Sequence, residues 1–219
     1  NPEGQQLVAP NKPAESLFDL SIDPQEFNDL AKNPNMEEQL KEMRKIHDLW
    51  MKEIMDVGLI PEAIMRRWEK ENDQPIYQWI RDQKDFYDEL LLMSSTENEK
   101  VLLDGLNHAN EAVRYWAGQG FYNLNKRIGN TIVKSLNYKL NDPVINVSIS
   151  VARALLKHQQ HSKKLIDVLS RGLKAENEWT RLQAALVLDD FENVLKELKN
   201  QAQNLINTDS NKYVVRTLN

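Results

Sequence analysis

The chain has 219 residues, 41% hydrophobic and 28% charged, with a net charge of −5 and no cysteine. That composition excludes disulfides, thiolate metal sites and cysteine nucleophiles, and no apolar run approaches the ~20 residues of a membrane-spanning helix. Charge is unevenly spread: residues 1–97 hold 11 Lys+Arg and 21 Asp+Glu, net −10, while residues 98–219 hold 17 and 12, net +5. Two structural units are implied, either attracting one another or, for the basic one, meeting an anionic partner.

In chain order, residues 1–14 carry three prolines without periodicity and read as an extended arm. The segment SLFDLSI, 16–22, alternates well enough to predict a short strand, with Phe18, Leu20 and Ile22 on one side and Asp19 and Ser21 on the other. Asp23-Pro24 then predicts a turn. Asn33-Pro34 opens a helix, with Asn as cap and Pro in the first turn. Its apolar stripe is Met36, Leu40, Met43, Trp50 and Ile54, with His47 on the same face and Gly58 as the stop. His47 reads as a packed or capping residue rather than a ligand. Two more helices are expected over 62–71 and 76–93, separated by Pro75, the second with a core face of Trp79, Phe86, Leu90 and Met93.

The last 120 residues repeat. The stretches 110–124, 142–156, 177–191 and 212–219 align at offsets of 32, 35 and 35 residues, with Val113-Arg114, Ile145-Asn146, Thr180-Arg181 and Val215-Arg216 in one pair of columns. Small or apolar residues follow in register at Ala117, Ile149 and Ala184. Another apolar-periodic helix precedes each stretch, carrying Leu102 and Leu106, then Ile132 and Leu136, then Leu165 and Leu169, then Leu198 and Leu205. Two helices per unit of 30–35 residues predict an α-solenoid whose neighbours share a core. The pattern resembles the HEAT repeat family through Asp142-Pro143 and the arginines Arg114, Arg181 and Arg216. In that frame the arginines are structural, bonding loop carbonyls or acids of the next unit, and Asn146 interrupts the ladder. The resemblance covers residues 98–219 and implies a binding or scaffolding surface.

A second resemblance lies upstream. Glu15, Leu17, Phe18, Asp19, Leu20, Asp23, Pro24, Glu26, Asn28, Leu30 and Ala31 fall in the order in which the sulfatase family, the alkaline-phosphatase-like sulfuric ester hydrolases, often ends, and Trp50-Met51 falls on the helix that follows. The resemblance covers residues 13–68. It implies that the predicted strand belongs to a small C-terminal sheet whose partners come earlier, so that the sequence resembles a sulfatase whose front is missing. Sulfatases use a formylglycine made in a C/S-x-P-S-R motif and a calcium ion; neither the motif nor a cysteine occurs here. His47, His108, His158 and His161 are scattered, and no D-x-D-x-D loop appears. No catalytic, cofactor-binding or metal residue is therefore assigned.

The resulting expectation is a mainly α chain: 1–60 as the tail of a sulfatase C-terminal subdomain, 61–97 as connecting helices, and 98–219 as a HEAT-like α-solenoid. Functionally it is the non-catalytic end of a sulfatase-like hydrolase acting on sulfated polysaccharides, itself free of cofactors while the parent needs calcium and formylglycine. Its partners are the missing catalytic domain and a sulfated glycan or another protein, without nucleic acid or a membrane span; the resemblance implies a periplasmic or secreted parent. The alternative is a stand-alone HEAT adaptor, in which Phe18 and Leu20 would be covered by the chain's own helices. A DNA-binding HEAT enzyme is disfavoured by overall acidity, with the five tryptophans expected in the core.

Overall fold

The computed structural model describes residues 13–83, 86–191, 193 and 195–219. The expected arm lies mostly outside them. Two compact units divide at Ile54/Met55. Among the described residues all regular structure is helical.

In the first unit, residues 15–22 form no strand. Asp19 instead closes a turn: its carbonyl accepts from Ile22 and Asp23, and its carboxylate accepts from the Ser21 amide at 3.0 Å. Such side-chain bonding competes with an extended ladder. Across from it, Leu30 N–H donates to Leu17 O at 2.7 Å, and the Asp29 carboxylate accepts from Leu17 N–H at 3.0 Å and Ala31 N–H at 2.9 Å. The turn at Asp23-Pro24 forms, with Asp23 accepting from Phe27 and Asn28 amides. Asn33 caps a short 3₁₀ helix, Pro34–Met36, which runs into α1 (Glu37–Ile54). Glu15 ties the irregular segment to that helix by pairing with Arg44, Nε to Oε2 at 2.7 Å. The helix ends at Ile54, four residues before Gly58. Met55 takes the left-handed conformation, φ 52°, and Asp56 caps the 3₁₀ helix Val57–Leu59 that includes the glycine.

The second unit is a succession of short helices: α2 (Glu62–Asn72), α3 (Ile76–Trp79), α4 (Tyr87–Ser95), α5 (Glu99–Gly105), α6 (Glu111–Asn123), α7 (Asn130–Lys139), α8 (Ile145–Lys157), α9 (Lys163–Leu173), α10 (Glu178–Asp190), α11 (Lys199–Thr208) and α12 (Lys212–Leu218). The single helix expected over 76–93 is split. After α3 the chain tightens into a 3₁₀ turn at Ile80–Asp82, and Gln83, at φ −114° and ψ 51°, leaves the helical region. Trp68, Trp79 and Phe86 pack together there, with ring centroids 4.8 and 5.9 Å from Trp68. The Trp68 indole donates to Glu111 at 2.6 Å and that of Trp116 to Leu59 O at 2.5 Å, so neither N–H is buried without a partner.

The four aligned stretches fall on α6, α8, α10 and α12. Each packs on the helix before it, and α6 on α8, α8 on α10, and α10 on α12. One continuous core results, from Leu102, Leu136, Leu165 and Leu198 on the preceding helices and Ala117, Ile149, Ala184 and Val214 on the aligned ones. Gly118 permits the closest α6–α8 approach: a Cβ there would meet Ser150 Oγ and lie 3.2 Å from Val151 N.

Polar clamps join successive pairs. Arg114 on α6 reaches Asp142 with Nε–Oδ2 2.8 Å and Nη2–Oδ1 3.0 Å, and its third nitrogen donates to His108 O at 2.9 Å and Ala109 O at 2.8 Å. Arg181 repeats this with Asp209, at 2.6 and 2.9 Å, and with Ala175 O and Glu176 O. Both aspartates also accept the backbone N–H two residues on, Val144 and Asn211. Asp142-Pro143 therefore does not cap α8 directly. Val144 holds the cap position and Pro143 precedes it. At the interrupted rung the aspartate position is occupied by Ala175. Asn146 bonds instead to Thr180 Oγ1 at 3.1 Å and Gln183 Oε1 at 2.7 Å, while its carbonyl accepts from Gln183. An arginine at 146 would be a buried charge facing no carboxylate, which is costly.

Replacing Arg114 by Met leaves the buried Asp142 carboxylate unpaired and is expected to cost about 3–5 kcal/mol in urea unfolding; the double change Arg114→Met/Asp142→Leu recovers most of it. A second expectation concerns acid. Hydrogen bonding from Arg181, then from the Asn211 amide, holds the Asp209 carboxyl below its ordinary range, while desolvation opposes it. A depressed carboxylate stabilises fully above the unfolded pKa, about 4, and loses that contribution as pH falls through its lower folded value. The stability gap between the native chain and Asp209→Asn is thus expected to be widest at pH 6 and to narrow below about pH 4, read as urea midpoints across pH.

Candidate functional site

Two surfaces stand out, one on each unit. On α1 the apolar stripe does not face a core. Met43, Ile46, Leu49, Trp50 and Ile54 are all exposed, Trp50 by 53% and Leu49 by 56%, and Leu20 and Ile22 of the preceding segment are exposed by 59% and 79%. The buried residues of α1 are Leu40 and Met51, eleven positions apart and hence three turns along one face beside that stripe. The expectation that the tryptophans lie in the core therefore fails at Trp50. His47 is also exposed, its ring tilted toward Trp50 at 6.3 Å. Phe18 is half-buried. A contiguous apolar surface of this kind marks an interaction face.

The second surface lies on the helical array. Loops 124–130, after α6, and 157–160, after α8, line a cleft of about 610 Å³, within the ~300–1,000 Å³ typical of ligand sites. Its walls carry Lys126, Arg127, Lys157 and His158, with Asn125, Asn130, Gln159 and Gln160 between them. Helix α8 ends in a Schellman turn: Gln160 N–H reaches Leu155 O, Gln159 N–H reaches Leu156 O, and Gln159 takes φ 59°. The His158 ring nitrogen Nε2 lies 2.9 Å from Phe121 O, fixing this turn against the end of α6. Lys126 pairs with Glu99 at 3.2 Å. Arg127 and Lys157 are exposed and make no ion pair among the described residues. Beside the cleft, Arg153 lies over the Tyr122 ring at 4.1 Å and bonds Asp190 at 2.8 Å, closing one ring face.

The charge behind this cleft was legible only in a narrower window than the halves compared above. Residues 123–166 contain eight Lys+Arg and one Asp, net +7. That one acid, Asp142, is buried against Arg114, side chain 3% exposed. Nothing in periodicity brings 124–130 beside 157–160; the stacking of α6 on α8 does.

Among the described residues no three His, Asp or Glu side chains gather as metal ligands. His108 accepts the Asn110 amide at 3.0 Å in a turn, and His161 is exposed. The three repeat arginines do not form one site. Arg114 and Arg181 are engaged in clamps and Arg216 is exposed near Tyr213. No helix among the described residues is long and apolar enough to cross a membrane.

A segment of 78 residues, 35% of this chain, is 40% identical to an ulvan-active sulfatase of Formosa agariphila. The match spans 13% of that protein's length. No family model matches the chain, and no solved structure matches it.

Because the stripe on α1 is already solvated, polar replacement there should not unfold this chain. Ile46→Lys/Trp50→Glu is expected to shift its unfolding free energy by less than about 0.5 kcal/mol, whereas a core change of the same kind at Leu136 abolishes cooperative unfolding; urea titration of the two variants separates the cases.

Proposed function

We propose that this chain is the C-terminal portion of a sulfatase-like hydrolase whose parent cleaves sulfate esters of a sulfated polysaccharide. The observation that carries this reading is the 40% identity over 78 residues to the ulvan-active sulfatase. The parent's chemistry, formylglycine and calcium included, belongs to a catalytic domain outside these residues. The helix pairs from α5 to α12 act as HEAT-like repeats beside it, and the parent is periplasmic or secreted.

The apolar face of α1 supports the same reading. Leu20, Ile22, Ile46, Leu49 and Trp50 are what a helix and its preceding segment leave open when their covering layer is supplied by another part of the polypeptide. A self-sufficient adaptor would cover Phe18 and Leu20 with its own helices; Leu20 is exposed and Phe18 half-buried.

The test is hydrolysis of 4-nitrocatechol sulfate by this chain and by the full-length product of its open reading frame. Activity confined to the longer protein is the expected result. A longer product that folds and lacks sulfatase activity, or a reading frame that adds no catalytic domain, would sink the proposal. In the longer protein Ile46→Lys/Trp50→Glu is expected to lower the unfolding midpoint, although it leaves this chain alone unaffected.

A further inference from the structure

We infer that the cleft between loops 124–130 and 157–160 is an anion-binding groove for a sulfated polysaccharide chain. The choice of a sulfated polymer rests on the sulfatase-like reading above; the groove itself rests on geometry and charge. Two exposed cations without ion-pair partners among the described residues, Arg127 in the loop after α6 and Lys157 at the end of α8, line one cavity of about 610 Å³. They stand in a stretch of net +7 whose single acid is sequestered by Arg114. Glu99 offsets Lys126 and Asp190 offsets Arg153, which leaves Arg127 and Lys157 as the cations of the lining without ion pairs among the described residues, and the low-dielectric walls of the cleft focus their potential.

The lining also says what kind of anion fits. Arginine offers a planar fork of donors to an oxyanion, and lysine a compact charge. Between them, Asn125, Asn130, Gln159 and Gln160 present amides that both donate and accept, as sugar hydroxyls require. The start of α7 borders the same cleft without a side-chain cap: Gly129 holds the cap position, and a Cβ there would meet nothing within 4 Å. No Phe, Tyr or Trp lines the cleft, and Tyr122 beside it carries Arg153 at 4.1 Å and the Lys157 ammonium at 5.7 Å from its ring centroid. Single-stranded nucleic acid is bound by stacking bases on aromatic faces, and the lining supplies no Phe, Tyr or Trp for that. Its recognition is by charge and hydroxyl bonding along an open channel, which suits a polyanionic sugar chain.

The experiment is calorimetric titration of the chain at 150 mM NaCl with four probes: dextran sulfate, uncharged dextran, carboxymethyl dextran and an oligothymidylate of matched charge. Dextran sulfate is expected to bind more tightly than the other three. Arg127→Glu/Lys157→Glu is expected to weaken it at least tenfold with circular dichroism unchanged, since both residues are exposed on loops or helix ends. Lys196→Glu/Lys199→Glu makes the same charge change on exposed residues elsewhere and is expected to weaken binding less than twofold. Equal loss in both variants would reduce the effect to overall charge and overturn the site. Oligothymidylate binding as tightly would make the groove a nucleic-acid surface, and carboxymethyl dextran binding as tightly would remove the preference for sulfate. Absence of binding would overturn the inference while leaving the sulfatase assay of the longer protein to stand or fall by itself; a binding groove in a chain whose longer form lacks sulfatase activity would do the reverse.

Discussion

Helix pairs as short as those of the second unit cannot each bury their own apolar face, and their stacking has to be fixed in register by something more directional than apolar contact. The Arg114–Asp142 and Arg181–Asp209 clamps do that. In each, one guanidinium makes four hydrogen bonds: two to the carboxylate in the turn within the next pair, and two from the third nitrogen to carbonyls of its own turn. Each aspartate in turn organises the backbone two residues ahead, at Val144 or Asn211. The clamp thus couples the turn within one pair, the helix after it and the turn within the next pair. Because the charges are almost fully out of water, the pair confers position more than net stability, and its loss is costly chiefly through the partner left behind.

The same interaction shapes the surface chemistry. Asp142 is the only acid between residues 123 and 166, and Arg114 holds it inside. The exposed part of this stretch is consequently almost purely cationic. The middle rung uses an uncharged link, Asn146 with Thr180 and Gln183, where Ala175 removes the carboxylate. An arginine at 146 without a carboxylate at 175 would be a buried unpaired charge. Internal register and external potential are therefore set by one distribution of a few ionisable residues.

Legibility in sequence followed how local each feature is. The helix start at Asn33 was readable because the cap oxygen and the N–H that donates to it lie two residues apart, and the caps at Asn98, Asn110, Asn177 and Asn211 are equally local. The structural role of Arg114 and Arg181 was readable from their recurrence, although the partner acid lies 28 residues on, whereas Arg216 in the same column is exposed. The strand at 16–22 was misread because alternation in a short segment cannot compete with an Asx turn at Asp19 when no neighbouring strand offers a ladder. The helix over 76–93 was overextended because its apolar pattern runs across the break at Gln83, where backbone geometry rather than pattern ends it. Gly58 was taken as a stop because glycine is the usual left-handed residue, yet Met55 assumes that conformation three positions earlier.

Periodicity says which residues share a face and is silent on whether that face is covered. The stripe on α1 has the spacing of a core helix, and its exposure is a property of what surrounds it. The basic cleft is silent in another way, since its two loops are joined only by the packing of α6 on α8 and by the bond from His158 to Phe121 O. Both surfaces came from residues whose individual roles look ordinary. An exposed apolar face and a groove lined by the cations Arg127 and Lys157, unpaired among the described residues, make different demands on what meets them. A chain that did nothing but fold would have reason to avoid both, since exposed apolar stripes favour aggregation and clustered cations repel. Their coexistence, one in each unit, is the physical ground for proposing a covered apolar face and a groove for a polyanion.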